Sequence, residues 1–169
     1  MKKNSYLSVL IIILFLGTFT LVNFQQIEAA EVGTEVGKKA PNFSLKNMNN
    51  KEVTLRELEG KKVFINFWAS WCPPCKAEMP DIQKLYENHG EDIKIIAVNL
   101  EEEKTKVEKY LNNEELDFTV LLDKNNKVAG QYLVRAIPTS YFLNEKGIII
   151  EKNLGVLSYE KMKENLKIE

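Results

Sequence analysis

The sequence has few residues that could bind a metal, namely two cysteines, Cys72 and Cys75, and one histidine, His89. A structural zinc site takes about four cysteine or histidine ligands, which this chain does not supply. A haem-attachment motif requires histidine directly after the second cysteine, and Lys76 stands there instead. A structural disulfide acts mainly by closing a long loop, which a two-residue gap does not do. We therefore expect no metal and no other cofactor, and we interpret the pair as redox-active.

The chain also lacks an excess of charge of either sign. Its 169 residues include 23 Lys and Arg and 24 Asp and Glu, for a net charge of −1. A nucleic-acid-binding surface requires a basic patch or stripe, so we expect no nucleic-acid partner. The length suits one globular domain with a sizeable core, and no internal repeat is visible.

The N-terminal region has no charged residue between Lys3 and Glu28. Its mostly apolar run over 6–24 is long enough, as a helix, to span the ~30 Å hydrocarbon core of a bilayer. The lysines at positions 2 and 3 should stay in the cytoplasm, which places the rest of the chain on the extracytoplasmic side of the cell membrane. Cleavage and secretion is the alternative, although the small-x-small pattern at 27–29 is poor. We predict a signal-anchor or transmembrane segment over 1–30, a linker over 31–37 and a single domain over 38–169.

The domain alternates between strand and helix patterns. Continuous apolar runs are typical of buried strands, and apolar residues at three- and four-residue steps indicate helices. This order favours an α/β fold with a mixed central sheet flanked by helices and an N-terminal β-hairpin extension. We predict hairpins over 40–55 and 139–155, strands over 61–68, 93–100 and 118–123, and helices over 74–90, 103–112, 128–133 and 159–166, the last capped by Ser158.

The two cysteines lie between a predicted strand and a predicted helix. At a helix N-terminus, unpaired N–H groups and the helix dipole stabilise a thiolate, so we expect Cys72 to be an exposed nucleophile of lowered pKa. Cys75 comes one turn later and can act as the resolving thiol. Glu78 follows on the same helix face, either as a proton-exchange partner of Cys75 or as a solvated helix residue. Trp71 either shields the disulfide or only packs beside it.

The chain resembles the thioredoxin superfamily, and within it the membrane-tethered TlpA/ResA-like branch. The resemblance is carried by four stretches of sequence and runs from about Lys38 to the C-terminus. A cysteine pair alone is a weak signal, whereas Trp-Cys-Pro-Pro-Cys-Lys after a buried strand, followed by Ile-Pro-Thr about 65 residues later, is a strong one. The stretches are "APNFSL" (40–45), "NFWASWCPPCKAEMP" (66–80), "AIPTSYF" (136–142) and "LGVLSYEKMKENL" (154–166).

This resemblance implies roles for further residues around the cysteines, which the residue patterns alone do not indicate. Pro138 would be a cis-proline facing the disulfide, and Ile137 and Gly155 would border a groove for the extended chain of a substrate. Thioredoxins carry a buried aspartate where this chain has Asn66, which cannot act as an acid or base. The ResA-like pattern has a glutamate at the position of Glu78, which implies a functional role for it.

The function that the resemblance implies is that of an extracytoplasmic thiol-disulfide oxidoreductase. Its Cys72–Cys75 pair would reduce the disulfides of a client protein such as apocytochrome c. A membrane thiol transporter of the CcdA type would supply the electrons. A thiol reductase acting in spore-envelope synthesis is an alternative of the same type.

Two further alternatives use the same cysteines for different chemistry. The "APNFSL" stretch also resembles the opening of peroxiredoxins, which implies a thiol peroxidase. Those enzymes place a threonine and a proline before the reactive cysteine, however, and the residues at 69–71 supply neither. Copper-delivery proteins of this fold use two cysteines and a distant histidine, for which His89 is the sole candidate.

Overall fold

The computed structural model describes residues 30–168, which form a five-stranded sheet, a two-stranded sheet and four α-helices. A single 3₁₀ turn, Leu55–Leu58, precedes the central strand. The strands are β1 (Ser44–Lys46), β2 (Glu52–Thr54), β3 (Lys62–Trp68), β4 (Ile93–Leu100), β5 (Thr119–Asp123), β6 (Thr139–Leu143) and β7 (Ile149–Leu154). The helices are α1 (Pro73–His89), α2 (Lys104–Asn113), α3 (Lys127–Gln131) and α4 (Tyr159–Leu166).

The large sheet is mixed, in the order β5-β4-β3-β6-β7. Strands β3, β4 and β5 are parallel, β6 pairs antiparallel with β3, and β7 pairs antiparallel with β6. The small sheet is the antiparallel β1–β2 pair. The predicted α/β fold, with a mixed central sheet, flanking helices and an N-terminal hairpin, is confirmed.

Strand β3 lies at the centre of the large sheet because apolar side chains cover both of its faces. Phe64 and Trp68 point to the face that carries α1, and Ile65 and Phe67 point to the opposite face. Burial on both faces explains why the strand is a continuous apolar run with no alternation. The one polar interruption, Asn66, is also fully buried, and it lies in the layer that leads to the site.

Helix α1 starts immediately after the loop that follows β3. Cys72 is its N-cap in extended conformation, and Pro73 occupies the first turn, where its missing N–H is not needed. The helix begins one residue before the predicted start, continues through Pro80 and ends at His89. Its buried face, which includes Met79, packs on the sheet. The site therefore rests on a long helix fixed against the central strand.

The segment before β1 is hydrogen-bonded to the turn between β6 and β7. The Gly37 N–H donates to the Ile149 carbonyl at 2.8 Å, and the Ala40 N–H donates to the Gly147 carbonyl at 3.0 Å. Leu143 pairs with Val63 at the start of β3, so this turn lies at the opposite end of the sheet from Cys72. The chain thus enters the domain at the end remote from the cysteine pair.

The signal-anchor or transmembrane segment predicted over 1–30 lies outside the described residues except for Ala30, and it stays a prediction. Across residues 30–168, none of the helices has both the length and the apolar character that crossing a bilayer requires.

Candidate active site

Cys72 and Cys75 form a disulfide across the first turn of α1, with their Cα atoms 5.3 Å apart. The Sγ atom of Cys72 accepts a hydrogen bond from the Cys75 N–H at 3.2 Å, so this sulfur caps the helix. The prediction that Cys72 is exposed is wrong for this oxidised form, because only 3% of the residue is accessible. Cys75 is fully buried. Cys72 is therefore the outer sulfur of the pair, although it is well covered.

The loop before β6 covers the Cys72 sulfur. The Sγ atom of Cys72 lies 3.7 Å from the carbonyl oxygen of Ile137, and the Ile137–Pro138 peptide bond is cis. Gly155 adjoins the same loop, because its N–H donates to the Pro138 carbonyl at 2.9 Å. Trp71, next to Cys72, is 59% exposed. The structure thus brings Ile137, Pro138 and Gly155 together at the Cys72 sulfur, and Trp71 adjoins this sulfur through its place beside Cys72 in the chain.

Glu78 is fully buried, so it is not the solvated helix residue that sequence alone left open. Its Oε1 atom accepts a hydrogen bond from Asn66 Nδ2 at 2.8 Å, and its Oε2 atom accepts one from the Leu157 N–H at 3.0 Å. Burial raises the pKa of the Glu78 carboxyl to about 7, against the lowering effect of these two hydrogen bonds. At neutral pH the carboxyl can therefore both accept and release a proton.

Asn66 links Glu78 to the neighbouring strand. Its Nδ2 atom also lies 3.0 Å from the Ser140 hydroxyl, directly across from it in the β3–β6 register. Its Oδ1 atom is buried with no hydrogen-bond partner among the described residues. Sequence reasoning missed Ser140 and the Leu157 N–H. The "AIPTSYF" stretch would have indicated Ser140 if the pairing register of β6 had been known.

His89 lies at the other end of α1 from the cysteines, 17 residues after Cys72. Its Nε2 atom is 3.2 Å from the Tyr159 hydroxyl. A helix rises about 1.5 Å per residue, which places His89 too far from the sulfurs to share a metal ion with them. Within residues 30–168, no three His, Cys, Asp or Glu side chains are grouped as metal ligands.

The fold and the site together define a class of protein. A disulfide that caps the helix after the central strand of a mixed sheet, and that faces a cis-proline loop, is the arrangement of a thioredoxin-like thiol-disulfide oxidoreductase. The AhpC/TSA family model matches residues 36–152, and the chain belongs to this family.

Comparison with individual proteins narrows the class. The thiol-disulfide oxidoreductase ResA of Bacillus cereus is 37% identical over 164 residues, 96% of this chain and 95% of that protein. The thioredoxin-like protein YneN of Bacillus subtilis is 33% identical over 169 residues, covering 98% of this chain and 99% of that protein. The crystal structure of StoA from Bacillus subtilis aligns with a TM-score of 0.66 and 33% identity, covering 74% of this chain and 96% of that one. The chain is thus an enzyme similar to the ResA and StoA proteins.

Proposed function

We propose that this enzyme reduces disulfides of client proteins, with Cys72 as the nucleophile and Cys75 as the resolving thiol. The observation that carries the proposal is the difference between the two sulfurs. The Cys72 sulfur lies at the helix N-terminus and faces the Ile137–Pro138 loop, whereas Cys75 is fully buried one turn further on. A helix N-terminus stabilises a thiolate on Cys72, and only the outer sulfur can meet a second protein.

The reaction proceeds in two exchanges. In the first, the Cys72 thiolate attacks one sulfur of the client disulfide, that S–S bond breaks, and a client thiolate leaves and takes up a proton. In the second, the Cys75 thiol loses its proton and attacks the Cys72 sulfur of the mixed disulfide. The second client sulfur leaves as a thiolate and takes up a proton. The client gains two electrons and two protons, and the enzyme is left with its Cys72–Cys75 disulfide.

Glu78 is the group that we propose for the proton of Cys75. Cys75 is buried, which raises the pKa of a thiol and keeps solvent bases away from it. Glu78 lies three residues later on α1, and its pKa of about 7 lets it take this proton near neutral pH. Asn66 and the Leu157 N–H hold the carboxyl in place by their hydrogen bonds.

The groove beside Cys72 is where we propose that the client chain lies. Its proposed lining is Trp71, Ile137, Pro138 and Gly155, of which Ile137 lies against the Cys72 sulfur, Pro138 is hydrogen-bonded to Gly155, and Trp71 is exposed. An exposed tryptophan beside a reactive sulfur offers apolar area that a client can bury at little cost in side-chain entropy.

Trp71→Ala is therefore expected to raise the KM for a protein disulfide about tenfold and to leave the melting temperature unchanged. Steady-state reduction of an oxidised protein client measures the first quantity, and thermal unfolding measures the second. Val36→Ala removes an equally exposed apolar side chain from the segment at the remote end of the sheet and serves as the control. Equal effects on KM from both substitutions would contradict the groove.

The location and the client follow from the ResA-like resemblance and from the N-terminal sequence. We propose that residues 1–30 anchor the chain, so that the catalytic domain works on the extracytoplasmic side of the cell membrane. The client would be apocytochrome c, whose haem-binding cysteines must be reduced before attachment, with a spore-envelope protein as the alternative. A membrane thiol transporter of the CcdA type would return the enzyme to its reduced form. The similarity to a thiol-disulfide oxidoreductase supports the reaction, and the choice of client is proposed from the resemblance of the sequence alone.

Trapping the mixed disulfide tests the proposed roles of the two cysteines. Reduced Cys75→Ser, mixed with an oxidised peptide that carries the Cys-x-x-Cys-His sequence of a haem-binding site, is expected to form a stable covalent adduct. The enzyme then has no second thiol to release the peptide, and alkylation of the freed peptide thiol at the quench keeps the peptide from closing its own disulfide again. Reduced Cys72→Ser is expected to form none, because Cys75 is fully buried. Non-reducing electrophoresis and mass spectrometry measure the adduct.

The Cys72→Ser/Cys75→Ser double variant gives the background of this experiment. Equal trapping by the two single variants, or full turnover by either of them, would show that the assigned roles are wrong. Rapid consumption of hydrogen peroxide by the wild type with a thiol reductant would instead support the peroxidase alternative.

A further inference from the structure

Glu102 is a buried carboxylate that the reaction described above does not use. It follows β4 within a run of three glutamates, and only 4% of it is exposed, whereas its neighbours Glu101 and Glu103 are exposed. Its Oε2 atom accepts hydrogen bonds from the Ser70 N–H at 2.6 Å and from Asn99 Nδ2 at 2.8 Å. Its Oε1 atom accepts from the Ser70 hydroxyl at 2.7 Å and lies 2.7 Å from Lys106 Nζ.

The Ser70 contacts place this carboxylate against the turn that leads to the nucleophile. The Cys72 N–H donates to the Ala69 carbonyl at 3.2 Å and closes a four-residue turn in which Ser70 is the second residue. Glu102 therefore holds the backbone and the side chain of a turn residue at the same time. Trp71, the third residue of the turn, is the exposed member of the groove.

The carboxylate of Glu102 has donors on both oxygens and is fixed in one orientation. Burial alone would raise the pKa of the Glu102 carboxyl, but the contacts from Lys106, Asn99 and Ser70 together lower it below its ordinary value. The group is thus ionised at neutral pH. Four donors on one carboxylate form a rigid support, because turning the group would break several hydrogen bonds at once.

We propose that Glu102 is a positioning residue, which fixes the Ala69–Cys72 turn so that the Cys72 sulfur stays at the N-terminus of α1. The proposal rests on the proposed role of Cys72 as the nucleophile. The cap geometry, with the sulfur accepting from the Cys75 N–H at 3.2 Å, is what stabilises the thiolate. A turn released from Glu102 samples other conformations, in which the sulfur loses this position.

Positioning and direct electrostatics predict opposite changes at Cys72. A negative charge near a thiol raises its pKa, so removing the Glu102 charge would by itself lower the pKa of Cys72. Loss of positioning raises that pKa instead, because the helix N-terminus no longer stabilises the thiolate. The sign of the change therefore distinguishes the two roles.

The experiment measures the pKa of Cys72 from the pH dependence of its alkylation by iodoacetamide in the reduced enzyme. Glu102→Ala removes the support and is expected to raise this pKa by about one unit, equivalent to a tenfold loss of thiolate. Ser70→Ala removes one of the two Ser70 contacts without changing any charge, and is expected to raise the pKa by about half as much. Circular dichroism shows whether Glu102→Ala is folded. If it is not, Ser70→Ala tests the proposal in its place.

Glu103→Ala is the matched control. It removes an adjacent glutamate that pairs with Lys124 at 2.6 Å but does not contact Ser70, so the pKa of Cys72 is expected to stay as in the wild type. The other charged groups on the elements around Cys72 are unchanged in all three variants: Lys76 and Glu78 on α1, Lys106 on α2 and Arg135 before Pro138.

Each outcome has one meaning. A rise in Glu102→Ala and Ser70→Ala, with none in Glu103→Ala, supports the proposal. A fall or no change in Glu102→Ala, no change in Ser70→Ala, or an equal rise in Glu103→Ala overturns it. If the wild-type Cys72 itself titrates as a free cysteine near pH 8.5, the proposed function fails as well, and this result is separate from the behaviour of the variants.

Discussion

Glu78→Gln is expected to slow the release of the client from the mixed disulfide about 100-fold, the loss that removal of a general base commonly causes. In the proposed reaction the buried Cys75 must give up its proton before it attacks, and a glutamine cannot accept that proton. The first exchange uses Cys72 at the helix N-terminus and should keep its rate. The variant should therefore accumulate mixed disulfide that the wild type does not.

The pH dependence gives a second signature of the same role. The resolution rate of the wild type should rise with pH through about 7, because the Glu78 carboxyl must be ionised to act as a base and its pKa is raised to about 7. In Glu78→Gln this step in the profile should be absent. Quenched single-turnover reactions from about pH 5 to about pH 9, resolved by mass, separate the two exchanges.

The control for this experiment is Glu87→Gln, the same chemical change at an exposed position of α1. Among the described residues, Glu87 contacts only Gln83 by a side-chain hydrogen bond. Its substitution should leave both exchanges at the wild-type rate. Resolution by Glu78→Gln at the wild-type rate throughout this pH range would show that Glu78 does not take the proton of Cys75.

The same substitution is expected to stabilise the oxidised protein at high pH. In the folded state burial raises the pKa of Glu78 to about 7, above the ordinary value of 4.5 that applies to the unfolded chain. Well below pH 4.5 the carboxyl is protonated in both states. Between these two pKa values only the folded state keeps the proton, so the free energy of unfolding falls as the pH rises. Above pH 7 the total loss of unfolding free energy relative to low pH is about 3 kcal/mol.

Glu78→Gln removes this dependence, because glutamine does not ionise. Its amide can accept from the Leu157 N–H and donate to Asn66 Oδ1, which has no partner among the described residues of the wild type, once the Asn66 amide turns. Urea unfolding at about pH 5 and about pH 8 measures the effect. Between these two pH values the gap in unfolding free energy between variant and wild type should grow by about 2.5 kcal/mol in favour of the variant, because a small part of the loss has already occurred at about pH 5.

Glu87→Gln is again the control, and its difference from the wild type in unfolding free energy should be the same at both pH values. An unchanged gap for Glu78→Gln would mean that Glu78 ionises as an exposed glutamate does. The two expected results belong together. Burial of one carboxylate lowers stability at neutral pH and also raises its pKa into the range where it can exchange a proton with a thiol.

The fold was largely predictable because local patterns and global packing agree. The apolar run of β3, the change to helical spacing after Cys72 and the cap at Ser158 all have direct counterparts in the structure, including the bond from the Lys161 N–H to the Ser158 hydroxyl. Helix α1 differs from its predicted start by a single residue. The contacts of the 31–37 segment with the β6–β7 turn were not predictable, because short polar stretches carry no periodic signal.

The spacing of the cysteines and Glu78 predicted their places on one helix and the resemblance implied a role for Glu78, whereas neither indicated their supporting partners. Asn66 was read only as a missing acid, and its contact with Glu78 depends on how α1 packs over β3. Glu102 belongs to a glutamate run that is indistinguishable in sequence from a solvated surface. Glu102 differs from its neighbours only because the Ala69–Cys72 turn approaches the end of β4, where Ser70 donates hydrogen bonds to it.

The entry of the chain at the remote end of the sheet has a consequence for electron supply. Strand β3 has seven residues, so at about 3.3 Å per residue the disulfide sits roughly 20 Å beyond the attachment point. With the proposed anchor in residues 1–30, the cysteine end of the domain would face away from the bilayer, toward soluble partners. To reach the proposed electron donor in the bilayer the domain would have to rotate, so the length and flexibility of the segment that joins it to the anchor would limit the rate of its re-reduction.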